Sequence, residues 1–118
     1  EDLLVQLARL GVKKPVITGI GFNQDEIGAV AYDSVADKFV SAFNERIPGK
    51  FHGTGDIFAS VLTGALVNRC ALADALRLSV DYSLESIKAT VADPHARNYG
   101  VNFESAIPML VKRMGNAR

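Results

Sequence analysis

Leu3, Leu4, Leu7 and Leu10 fall at i, i+1, i+4 and i+7, the spacing of one helical stripe, so the first ten residues predict a helix. Gly11 stands where a helix C-terminus places a left-handed residue, and Pro15 cannot continue the helix. Val16-Ile17-Thr18-Gly19-Ile20 is short, mainly apolar and partly β-branched, and it reads as a buried strand of the kind found in parallel sheets. Helix, turn and buried strand in that order form the second half of a β-α-β unit whose first strand would precede Glu1. After a polar stretch over 21–26, Ile27 to Asp33 and Lys38 to Ile47 predict two strands. Ser34-Val35-Ala36-Asp37 between them is short enough for a hairpin loop, and Phe39 and Phe43 share one face of the second strand. The expected sheet is mixed, with a parallel centre and an antiparallel hairpin edge.

Pro48 to Asp56 breaks the pattern and leads into Ile57, Phe58, Val61, Leu62, Ala65 and Leu66, spaced as a largely buried helix. Gly64 inside it costs about 1 kcal/mol against Ala, which predicts close packing against a neighbour there. Leu72, Leu76, Val80, Leu84, Ile87 and Val91 lie on one stripe of a second helix that Asp93-Pro94 ends. A polar loop follows over 95–102, and Phe103 to Met114 predicts a last short helix despite Pro108. No repeat, low-complexity tract or internal linker interrupts the chain. The architecture is α/β, a single unit over residues 1–118 with helices packed on a sheet.

The 118 residues carry 13 Lys+Arg against 13 Asp+Glu, with 48% hydrophobic and 22% charged positions. Those are ordinary globular values and exclude a disordered or collagenous chain. One cysteine cannot pair within the chain, so no disulfide scaffold is possible. Zero formal charge argues against a nucleic-acid binder held by a positive field. The longest apolar run, Ile57 to Val67, is interrupted by Ser60, Thr63 and Gly64 and falls short of the ~20 residues a membrane span needs. The chain opens Glu1-Asp2-Leu3, without an initiator Met, a basic region or a signal-peptide core, and it reads as part of a longer chain.

Candidate chemistry concentrates in Gly53-Thr54-Gly55-Asp56, at the mouth of a hydrophobic helix. Glycines let backbone approach a ligand closely. The first amides of a helix lack intrahelical acceptors and carry partial positive charge, so they form an anion site. Thr54 adds a hydroxyl. Asp56 would repel a bound phosphate, but it suits a site where its carboxylate faces an attacking hydroxyl while the amides hold the phosphoryl group. The same residues also read as ordinary helix-start chemistry, with Thr54 or Asp56 as a cap and Asp56 complementing the helix dipole. His52 reads as a loop residue, His95 as solvated, Cys70 as a small packed residue, and Lys13-Lys14 as a solvated turn. Asp25, Glu26 and Asp33 read as loop and strand-end charges, and no metal-ligand spacing is present.

The order of elements, with Phe51-His52-Gly53-Thr54-Gly55-Asp56-Ile57-Phe58-Ala59-Ser60 at its centre, resembles the ribokinase-like superfamily of small-molecule kinases (the PfkB group), and within it the pyridoxal/pyridoxamine kinases. Ser60 to Leu66 and Tyr99 to Glu104 look like the tail of the bacterial members. The string His52-Gly53-Thr54-Gly55 is also similar to hydroxymethylpyrimidine kinases, which typically carry Cys where Asp56 stands. The resemblance spans nearly the whole chain but only the C-terminal, nucleotide-binding portion of a three-layer enzyme well over twice as long.

It implies ATP-dependent phosphorylation of the 5'-hydroxyl of pyridoxal, pyridoxine or pyridoxamine. Asp56 would be the catalytic base, Gly53, Thr54 and Gly55 the anion hole, and Thr18 and Gly19 neighbours of the ATP phosphates. Their place at a strand's carboxyl end agrees with where open α/β sheets bind ligands. The resemblance further implies Mg²⁺ held mainly by ATP and by residues outside this chain, K⁺ near the anion-hole loop, a cytoplasmic homodimer, and a B6 pocket lying upstream. The chain by itself is then expected to bind ATP weakly and not to turn over. The competing expectations are a hydroxymethylpyrimidine or sugar kinase of the same superfamily, and a non-catalytic module that keeps the fold.

Overall fold

The computed structural model describes residues 1–21, 23–96 and 100–117. Helix α1, Asp2–Arg9, ends at Gly11, whose φ of +106° is the left-handed geometry expected there. Of its leucine stripe only Leu4 is fully buried, and Leu10 is 82% exposed. Three strands follow, β1 (Val16–Ile20), β2 (Glu26–Asp33) and β3 (Lys38–Glu45), in the order β1-β2-β3. The β2–β3 hairpin runs in unbroken register from Glu26 opposite Glu45 to Asp33 opposite Lys38. Its loop is closed by the Asp33 carboxylate, which accepts the Val35 and Ala36 amides, and by Asp37 at φ +53°. Tyr32 donates its hydroxyl to Asp37 at 2.8 Å and stacks on Phe39 with ring centroids 4.7 Å apart.

The parallel centre expected from the sequence is absent among the described residues, because β1 also pairs antiparallel with β2. β1 is an edge strand here, with Thr18 and Gly19 exposed, so its apolar composition does not reflect burial on two faces. A bulge between Thr18 and Ile20 ends its regular pairing, with Gly19 at φ +70°. β3 stops at Glu45, two residues short of the expectation.

Helix α3 (Leu72–Ala92) packs against β3 and β2, and α2 (Thr54–Val67) packs against α3. Ala29, Ala31 and Ala42 present small side chains to Phe58, Leu72, Leu76 and Val80, with Val16, Val40, Leu62 and Leu66 around them. The helix stripe read from the sequence supplies this core through Val80, whereas Val91 at the far end is exposed. A second apolar cluster joins Val61, Ala65, Cys70, Ala75, Leu78 and Tyr82 to Ala106 and to Met109 and Leu110 of α4 (Ile107–Ala117), which a short 3-10 turn over Glu104–Ala106 introduces. Pro108 falls in the first turn of α4, where its missing N–H costs no helical bond.

Gly64 does not serve close packing. A Cβ built there meets nothing within 4 Å, and the Gly64 carbonyl instead takes the amide and side chain of Asn68 at the end of α2. A polar network ties the outer layer together. Asp81 accepts Asn44 Nδ2 at 2.8 Å and pairs with Arg113 at 2.6 Å and Arg77 at 3.4 Å, while Arg77 also donates to the Phe43 carbonyl at 2.9 Å. No helix among the described residues is long and apolar enough to cross a membrane.

Candidate functional site

A cleft of about 320 Å³ opens where the ends of β1 and β3 meet the start of α2. One wall is Thr18 and Gly19 of β1 with Ile27 and Gly28 of β2, and the stretch from Asn44 through Gly49 curls over it. Phe51, Thr54, Gly55 and Phe58 line the α2 side, and Val80, Ser83, Leu84 and Ile87 of α3 the far side. Apolar side chains dominate the lining, and its polar side chains are Thr18, Asn44, Glu45, Arg46, Thr54 and Ser83, a mix suited to a small ligand with an apolar body and polar groups.

The α2 end is built by conformation. Gly53 is the N-cap at φ +86°, which favours glycine, and no side chain caps the helix. The first α-helical bond is Ile57 N–H to the Gly53 carbonyl at 3.1 Å, which leaves the amides before it without intrahelical acceptors. A Cβ at Gly53 or at Gly55 would meet nothing within 4 Å, so packing does not demand glycine at Gly55. Neither the Thr54 hydroxyl nor the Asp56 carboxylate makes a hydrogen bond or ion pair with another described residue, and Asp56 is exposed. The reading of either as a side-chain cap is therefore not met, while an acid in the first turn still complements the dipole.

Thr18, Gly19, Thr54 and Gly55, drawn from two distant segments, thus border one cleft, and Gly53 and Asp56 flank it at the same helix start without lining it. His52 is exposed, and its carbonyl accepts the Val101 amide at 3.1 Å. His95 is exposed, Cys70 is buried in the second cluster, and the Lys13 carbonyl is held by Ser34 in the turn after α1. Tyr99, at the head of one motif, lies outside the described residues, as does part of the polar loop over 95–102. No three His, Cys, Asp or Glu side chains converge among the described residues, so these residues do not fit a magnesium cage, and no step is assigned through one.

Sequence reasoning missed the α3 wall, and it marked Tyr99 to Glu104 by resemblance without placing Val101 to Phe103 as a strap behind the site. Ser83, Leu84 and Ile87 carry no motif, and only the apolar stripe hinted at them. The strap runs through Val101 to Phe103. Asn102 donates its backbone amide to Thr90 and its side-chain amide to Asp93, and Phe103 accepts the Tyr82 hydroxyl at 2.6 Å. The His95 amide and the Asn102 side chain together hold the Asp93 carboxyl below the usual aspartate range. Burial, reinforced by Glu104, pushes the Tyr82 phenol up.

An antiparallel hairpin packed on two helices, with a glycine-rich helix start opening on an apolar cleft, is the α/β architecture of ribokinase-like small-molecule kinases, and solved structures bear this out. A protein from Bacteroides thetaiotaomicron assigned as a phosphomethylpyrimidine kinase matches 93% of this chain at 25% identity with a TM-score of 0.86. A second crystal form of it, containing pyridoxal, matches with a TM-score of 0.84. Pyridoxal kinase from Lactobacillus plantarum matches 84% of the chain at 26% identity with a TM-score of 0.74. The family model described as phosphomethylpyrimidine kinase matches residues 1–101, and the chain belongs to that family. A search of curated proteins gave no match. The chain spans 38% of the length of the first Bacteroides structure and 35% of the Lactobacillus enzyme.

Proposed function

We propose that this chain is the C-terminal, nucleotide-binding portion of a longer kinase that transfers the γ-phosphoryl group of ATP to the 5'-hydroxyl of a B6 vitamer. The observation that carries the reading is a set of unspent groups at one helix start. The Thr54 hydroxyl, the Asp56 carboxylate and the amides of residues 53 to 56 have no partners among the described residues, beside a glycine that packing does not require. In this reading the triphosphate lies across the α2 start, with Thr18 and Gly19 approaching it from the end of β1, and the apolar cleft between Phe51 and Leu84 takes the base.

The substrate hydroxyl attacks the γ-phosphorus, its proton passes to Asp56, and the bond from phosphorus to the β,γ-bridging oxygen breaks with ADP leaving. The amides of Gly53 to Gly55 offset the charge on the transferring oxygens. Magnesium, bound mainly by ATP and by residues beyond this chain, would neutralise the phosphates. A monovalent cation near the same loop, a homodimer and a cytoplasmic location belong to the same proposal.

Two observations support the vitamer: a related structure contains pyridoxal, and another is a pyridoxal kinase. The family match favours a second reading, phosphorylation of hydroxymethylpyrimidine or its phosphate, equally well. Assaying the longer protein with Mg·ATP against pyridoxal and hydroxymethylpyrimidine decides between them. Phosphorylation of neither would remove both readings and leave a sugar kinase of the same superfamily or a non-catalytic module.

A further inference from the structure

The strap after α3 is fixed at four points, one on the anion loop and three on α3 and its C-cap. The Val101 amide donates to the His52 carbonyl at 3.1 Å, and the Asn102 amide donates to Thr90 Oγ1 at 2.8 Å. Asn102 Nδ2 donates to Asp93 Oδ2 at 2.8 Å, and the other oxygen of that carboxylate accepts the His95 amide at 2.9 Å. The Tyr82 hydroxyl holds the Phe103 carbonyl. Thr90 Oγ1 is itself oriented by donating to the Ser86 carbonyl at 2.8 Å, so its lone pair is presented to Asn102.

A peptide group is a rigid plane whose C=O and N–H point in opposite directions. Holding the His52 oxygen therefore sets the direction of the Gly53 N–H, the first donor of the anion loop. Gly53, at φ +86°, has the widest conformational freedom of any residue, so the 52–53 peptide has little intrinsic stiffness. Among the described residues, the Val101 amide is the only group that holds this peptide from outside the loop.

We propose that Asn102 is a positioning residue for the anion loop. Locked to Thr90 and Asp93 at the end of α3, it presses Val101 onto the His52 carbonyl and so aims the Gly53 amide. The ligand consequence rests on the phosphate reading above; the clamp itself does not. Asn102 suits the role because one short side chain supplies a donor to a carboxylate while its own amide reaches Thr90. Aspartate at this position would repel Asp93.

The test uses ¹⁵N-labelled chain 1–118 and its Asn102→Ala and Asn102→Asp variants. Asn68→Ala, which removes a hydrogen bond at the opposite end of α2, is the control. In the Asn102 variants, hydrogen exchange at the Val101 amide rises by roughly tenfold or more, the scale of one lost hydrogen bond. The Gly53 and Thr54 amide resonances shift, and the Leu76 and Val80 amides keep their parent rates. Inorganic triphosphate, the probe, binds about tenfold more weakly to the Asn102 variants and unchanged to Asn68→Ala. Thr90→Ser, which keeps the acceptor hydroxyl, behaves as the parent, and Thr90→Val behaves as Asn102→Ala; this pair decides the matter if Asn102→Ala does not fold. Unchanged Val101 exchange and Gly53 resonances overturn the proposal, as does a moved loop with parent-like triphosphate affinity. If the parent takes up no triphosphate, the phosphate reading fails and the exchange and resonance measurements alone decide the clamp.

Discussion

Two glycine-to-alanine substitutions, identical in chemistry, are expected to move stability in opposite directions. Gly64 lies inside α2, and a Cβ there meets nothing within 4 Å. Gly64→Ala thus removes glycine's backbone entropy without a clash and stabilises by up to about 1 kcal/mol. Gly28 lies opposite Phe43 in the hairpin, and a Cβ there overlaps the Ala42 carbonyl oxygen and comes within 2.7 Å of Phe43 Cα and Cδ1. The carbonyl and Cα are backbone and cannot rotate away, so the β2–β3 ladder must open. Gly28→Ala should cost at least the ~1–3 kcal/mol typical of overpacking. Urea unfolding followed by far-ultraviolet circular dichroism measures both, and the two variants should differ by roughly 3 kcal/mol on the sum of these effects. A destabilised Gly64→Ala would mean that Gly64 packs closely after all. A Gly28→Ala as stable as the parent would refute the hairpin register.

Tyr82→Phe should lose the bond to the Phe103 carbonyl and destabilise by about 1 kcal/mol in the same assay. The Tyr82 phenol is raised in the fold, so its contribution is full below the ordinary tyrosine value near ~10 and is lost as pH rises through the raised one; alkaline unfolding of the parent, blunted in Tyr82→Phe, checks the sign. Asp93 is lowered in the fold, so its contribution is present above about pH 4 and is lost as pH falls through the depressed value. A carbon-13 NMR titration should find Asp93 below the ordinary aspartate range and moved upward in Asn102→Ala; an ordinary value in the parent would contradict the bonds drawn to it.

The elements themselves were legible because their signals are local. Gly11 and Pro15 bound α1, the four-residue loop at Ser34 forces a hairpin, and Asp93-Pro94 ends α3. The strand directions were not legible. β1 is apolar enough for a sheet centre, yet among the described residues it is an edge whose one partner runs antiparallel. The second buried face of α3 was hidden by its composition. Ser79, Ser83, Ser86 and Thr90 read as polar, but each hydroxyl bonds the carbonyl four residues back, which lets Ser79 and Ser86 be fully buried. Gly53 and Gly55 stood out as part of a motif, and Thr18 with Gly19 by their place at a strand end. The stretch from Tyr99 to Glu104 stood out by resemblance, but its tie to the helix start did not, because it joins the backbones of Val101 and His52, far apart in sequence.

The proposed division of labour, with Asp56 taking the proton while the α2 amides hold the phosphoryl group, is tested by turnover of the longer protein with pyridoxal and Mg·ATP in the parent and in Asp56→Asn. Asp56→Asn is expected to bind ATP as the parent does and to form pyridoxal 5'-phosphate on the order of 10²–10⁴-fold more slowly. Parent-like turnover in Asp56→Asn would remove Asp56 as the base.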